Sequence, residues 1–159
     1  MSDGKTARGV GKEADRPPVR RMVDLPTQQA ELAGRGLDSW REGRLDEAQG
    51  YLERLRQLAA SDHELSGMFH ALHLLACVAF SRGDLVNSRK LHQEVLDMSG
   101  DLGFLGGSGS SLFDLGVIDR LEGDPISARR RFEAAREAYA AGGYDDRLAV
   151  VDRALEGLD

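Results

Sequence analysis

The sequence predicts an all-α protein: a solenoid of three stacked helical hairpins closed by a C-terminal capping helix. Three observations predict it. The turn signals Glu42-Gly43-Arg44, Arg82-Gly83-Asp84 and Glu122-Gly123-Asp124 place their glycines forty residues apart, twice and without a gap. Between those turns, apolar residues recur at the three- and four-residue spacings of a single helix face. The chain has 159 residues, 41% hydrophobic and 30% charged, which fits one domain with a core built mainly from Leu, Ala and Val.

Residues 1–24 are expected to form a disordered basic leader. They contain Gly4, Gly9, Gly11 and the pair Pro17-Pro18, and show no apolar periodicity. Six basic side chains stand against three acidic ones in residues 1–21, so the net charge of −6 splits into +3 on the leader and −9 on the body. An acidic body is a poor surface for wrapping duplex DNA.

The repeats are expected at about 25–60, 61–100 and 101–141, with the capping helix at 145–158. Positions keep the forty-residue offset throughout: Leu32, Leu72 and Leu112; Gly36, Ala76 and Gly116; Ala48, Ser88 and Ala128. In the second repeat Leu72, Leu75, Ala76, Ala79 and Phe80 form the face of the first helix. Gly83 then ends it in the left-handed conformation that glycine adopts cheaply. Asp84 caps the second helix, whose face is Leu85, Leu91, Val95 and Leu96, and Asp124 before Pro125 signals the same start in the third repeat. Ser61 and Glu64 have capping-box spacing. Gly103 to Ser111 reads as a flexible linker ahead of the third hairpin. Gly142-Gly143 breaks the chain, and Asp145 or Asp146 caps a last helix whose apolar face is Leu148, Val151, Leu155 and Leu158. A lone hairpin cannot bury its apolar face, so stacking stabilises it, and the small residues at 36, 76, 116, 48, 88 and 128 permit the close approach that stacking needs.

These residues resemble the tetratricopeptide repeat. Leu32/Gly36/Gly43/Ala48, Leu72/Ala76/Gly83/Ser88 and Leu112/Gly116/Gly123/Ala128 occupy its small-residue and turn positions, and Phe132 fits its large apolar position. The departures are Arg35 in place of Leu, Ser88 in place of Ala, His92 in place of the large apolar residue, and the lack of a terminal proline. The period of forty exceeds the usual thirty-four and is similar to the long-helix repeats of large bacterial transcriptional regulators. The excess of Arg over Lys, 18 to 3, fits a GC-rich bacterial genome. The resemblance implies a right-handed superhelix whose first helices line a concave groove. By register that groove would present Leu37, Trp40 and Arg41, then His70, His73, Cys77 and Phe80, then Ser110, Phe113, Val117 and Arg120. Aromatic and Arg side chains together are the mixture enriched at binding hot spots.

The implied function is a non-catalytic scaffold or adaptor that binds a peptide or partner helix in the groove. Two alternatives stand beside it: a small-molecule sensor or biosynthetic enzyme using the same groove, and an accessory transcription-regulatory module acting through a partner. His70, His73 and Cys77 lie three and four residues apart on one face, as a metal site requires. No residue at equivalent register in the flanking repeats completes that set, so no metal and no cofactor are expected, and the histidines are assigned to the groove lining. The Gly103–Ser111 segment lacks the Gly-Lys-Ser/Thr ending of a nucleotide loop. Arg129, Arg130, Arg131 and Arg136, interleaved with Glu133 and Glu137, read as a solvated face with intrahelical ion pairs. No nucleophile elbow or paired carboxylates in an apolar setting appear, so no catalytic residue is assigned. Met68–Phe80 is too short to span a bilayer, no secretory apolar run opens the chain, and Cys77 has no disulfide partner, which together predict a cytoplasmic protein.

Overall fold

The computed structural model describes residues 25–159; the basic leader falls outside the described residues. Seven helices follow one another among them: α1 (Thr27–Arg41), α2 (Leu45–Ser61), α3 (Leu65–Ser81), α4 (Leu85–Asp101), α5 (Leu105–Leu121), α6 (Pro125–Gly142) and α7 (Asp145–Glu156). Each packs on the next, and α1 also touches α3, so the chain is a sequential all-helical repeat array. No described helix is long and apolar enough to cross a membrane.

The structural period is half the sequence period. Helices α2 to α5 are each 17 residues long, and the connections between them turn through a left-handed residue every twenty positions: Gly43, His63, Gly83, Gly103, Gly123 and Gly143. Five of the six are glycines, for which positive φ is unstrained; His63, at φ 55°, pays the steric penalty of its Cβ. Asp84 and Asp124 cap α4 and α6 by accepting hydrogen bonds from the amides of Asn87 and Ser127, both at 3.0 Å. The capping box does not form: Ser61 closes α2, and Glu64 precedes α3 without a side-chain cap bond. Asp145 and Asp146 lie in the first turn of α7, where their charge suits the helix dipole, behind Tyr144 at the cap position.

The largest difference from expectation is α5. The glycine- and serine-rich stretch from Leu105 onward is the start of a continuous helix, whereas local propensity reads it as a linker. Packing overrides propensity because aromatic rings lie against its bare backbone. A Cβ at Gly107 would stand 2.6 Å from Phe69 and Phe104, one at Gly109 2.7 Å from Tyr139, and one at Gly116 2.7 Å from Phe132. The glycines are therefore sites of close approach between helices.

Two core regions result. One joins α1 to α4 through Leu52, Leu55, Phe69, Leu72, Leu75 and Val95; the other joins α6 and α7 through Phe132, Ala135, Tyr139 and Val151. Asp119, 4% exposed, ties the array together across α4, α5 and α6: Arg89 and Arg131 each reach a carboxylate oxygen at 2.7 Å. Arg129 and Arg136 likewise pair across helices, with Asp159 and Asp152. Arg129, Arg131 and Arg136 of α6 thus reach the C-terminal end of the chain, α5 and α7, in place of the intrahelical pairs their interleaving with Glu133 and Glu137 suggests.

Candidate functional site

Helices α1, α3 and α5 bring four of the register-predicted groove residues around one cavity of about 160 Å³. Trp40 contributes from α1, Cys77 and Phe80 from α3, and Val117 from α5. Two further side chains, His92 from α4 and Asp114 from α5, complete its wall. Trp40 is held in place by its indole N–H, which donates to the hydroxyl of Ser81 at 2.9 Å and so fastens α1 to the end of α3.

Two of the wall residues, His92 and Asp114, group with His73, one ligand-capable atom from each lying within 4.8 Å of the other two. The His92 Nε2 is 3.7 Å from Asp114 Oδ2, too far for a hydrogen bond. The two imidazoles meet edge to face, with ring centroids 5.7 Å apart and planes at 70°. His92 is 1% exposed, His73 is largely buried, and Asp114 retains 34% of its side-chain surface. The Nδ1 atoms of both histidines are buried without a hydrogen-bond partner.

Internal comparison shows how unusual this is for the fold. Shifted by forty, the pair His73 and His92 becomes Ala33 and Leu52 in the first repeat and Phe113 and Phe132 in the third, the latter with rings 5.3 Å apart. Asp114 falls where the first two repeats have Gly34 and Leu74. The same architectural slots are apolar on both sides of a polar centre.

Burial sets the charge of these groups. It lowers His92 to about 3 and His73 to about 4, with each further depressed by a neighbouring histidine. Both rings are neutral at neutral pH, and each keeps one nitrogen lone pair. Burial pushes Asp114 up to about 7, opposed by the charge of Arg147. It also pushes the Cys77 thiol up to about 12, with Asp114 adding to the effect, so Cys77 is a thiol and no nucleophile at neutral pH.

The remaining predicted groove residues are placed elsewhere. Leu37 packs against the first core and Phe113 against the second. Ser110 shares a hydrogen bond of 3.1 Å with the Tyr139 hydroxyl. His70 is half-buried with its ring edge toward Phe69, while Arg41 and Arg120 are exposed. The group that converges is a different one from the His70, His73 and Cys77 set that spacing along α3 suggested, because His92 and Asp114 come to His73 from α4 and α5. Spacing along one helix could not reveal a set drawn from three. The available signal was His92 itself, a polar residue where the other repeats carry Leu52 and Phe132.

No protein-family model matches the chain. No similar sequence was found among curated proteins.

Proposed function

We propose that the chain is a long-period, tetratricopeptide-like right-handed solenoid that acts as a non-catalytic binding module. In this reading the groove formed by α1, α3 and α5 accepts a peptide or partner helix that inserts one bulky apolar side chain between Trp40, Phe80 and Val117. The supporting observation is the 160 Å³ cavity, which those residues line and which has room for one side chain of leucine or phenylalanine size. Trp40 supplies a large, rigid contact held by Ser81, the kind of anchor that dominates binding energy.

The chain has one tryptophan, so emission from Trp40 reports directly on the groove. Peptides selected by display on the immobilised protein should converge on a fixed bulky apolar position and shift Trp40 emission when they bind. Val117→Asp should abolish their binding while leaving the helical circular dichroism intact. Selected peptides that bind Val117→Asp as well as the parent protein would place the partner site elsewhere.

A further inference from the structure

We propose that His73, His92 and Asp114 form a binding site for a divalent first-row transition metal of the Zn²⁺ class, with an open coordination position facing the Trp40–Val117 cavity. The site is independent of which partner occupies the groove.

Convergence is the first observation. Three ligand atoms from three different helices lie within 4.8 Å of one another. A tetrahedral Zn²⁺, about 2.0–2.1 Å from each ligand, needs them roughly 3.3 Å apart. The His92–Asp114 separation of 3.7 Å is already close to that value.

The unpartnered nitrogens are the second observation, and they are independent of the convergence. A buried polar atom without a partner destabilises a fold by about 1–3 kcal/mol. The second repeat carries two such atoms, His73 Nδ1 and His92 Nδ1, in slots that the flanking repeats fill with Ala33 and Leu52 or with Phe113 and Phe132. The flanking repeats thus fill these places with apolar side chains, whereas here the His73 ring stacks on Phe69 and meets His92 edge to face. A metal ion held through His92 Nε2, the nitrogen 3.7 Å from Asp114, gives the two rings and the carboxylate a common partner, while His92 Nδ1 stays outside that coordination.

The donor set selects the class of ion. Two imidazoles and one carboxylate suit Zn²⁺, Co²⁺ or Fe²⁺, whereas Mg²⁺ and Ca²⁺ prefer oxygen ligands throughout. Three protein ligands leave a fourth position for water or an anion, and the cavity wall of Cys77, Trp40 and Val117 lies beside it.

The full chain, stripped by chelator dialysis, is titrated with Zn²⁺ alone by calorimetry and with Co²⁺ alone by visible absorption. One equivalent per chain is expected, with the intense ligand-field bands of four- or five-coordinate Co²⁺. Zn²⁺ should also raise the thermal midpoint, since it binds only the folded chain. His92→Leu and Asp114→Asn should each weaken Zn²⁺ binding at least about tenfold and abolish the thermal shift, while His63→Ala, in an exposed turn, should bind as the parent does. His92→Leu takes the residue of the first repeat, and Asp114→Asn preserves shape, so a folding failure in one leaves the other decisive. Binding no tighter than millimolar in the parent protein would overturn the proposal. So would an unchanged affinity in Asp114→Asn together with unchanged affinity in any folded His92→Leu.

Discussion

Replacing His92 by leucine should make the metal-free protein more stable, although it alters a fully buried position. The imidazole is 1% exposed and its Nδ1 has no partner. Removing that atom recovers about 1–3 kcal/mol of desolvation penalty. The opposing term is steric. In the first repeat Leu52 lies over Gly36, so closely that a Cβ on that glycine would be 2.6 Å from it; the second repeat has Ala76 at that place, with a real methyl. A leucine at 92 must turn away from Ala76, which costs about 0.5–1.5 kcal/mol in rotamer strain. The balance is a gain of about 1 kcal/mol, or a rise of roughly 2–4 °C in the midpoint for a domain of this size. His92→Ala removes the same nitrogen but leaves a void, and should lose about 2 kcal/mol or more. Urea and thermal unfolding followed by circular dichroism, both in chelator, give the two signs. A His92→Leu variant destabilised by more than about 1 kcal/mol would refute the reasoning, because the imidazole would then be contributing to the fold in its own right.

Three further outcomes can be checked on the same preparations. In the metal-free protein the unfolded chain, with imidazoles near 6.5, binds two protons below that pH that folded His73 and His92 refuse, whereas folded Asp114 holds one that the unfolded chain releases. The net of one proton makes stability fall as pH drops from 6.5 to 5, by up to about 1.4 kcal/mol per unit, and urea midpoints should show this slope flattened in His92→Leu. Gly50→Ala, on an open helix face with nothing within 4 Å, should stabilise by about 0.5–1 kcal/mol, while Gly109→Ala, whose Cβ would meet Tyr139 at 2.7 Å, should destabilise by about 1–3 kcal/mol in scanning calorimetry. Asp119→Ala strands Arg131 and leaves Arg89 only its pair with Glu122; both arginines are about 30% exposed and so partly relieved by solvent, and the change should cost about 1–2 kcal/mol in chemical denaturation.

The helical character and the turns at Gly43, Gly83 and Gly123 were legible because each depends on nearby residues alone. The twenty-residue half-period was hidden by two local circumstances. Gly103 and Gly143 sit among other glycines, and the remaining left-handed position is His63. Helix α5 was illegible for a different reason. Its glycines disfavour a helix in isolation, and only Phe69, Phe132 and Tyr139, arriving from α3 and α6, make them an advantage. Trp40, Cys77, Phe80 and Val117, four residues of the groove register, line one cavity because a helix face follows from spacing. His92 and Asp114 escaped it because they belong to a second helix and to a position one residue off the groove register, where only the packing of α3, α4 and α5 shows the encounter.

The repeat supplies its own control for what the polar cluster means. Three hairpins solve one packing problem, and the slots are filled by Ala33 with Leu52, His73 with His92, and Phe113 with Phe132. Chain stability is approximately a sum over repeats and their interfaces, so a weak centre persists only if its neighbours carry it. The neighbours here are well placed to do so, with Leu52 and Leu55 on one side, and Phe132 and the Asp119 tie on the other. His73 and His92 lie in the middle repeat and Asp114 on the first helix of the third, so the cluster has a core region on either side, and His92 and Asp114 also line the cavity bounded by Trp40 and Val117.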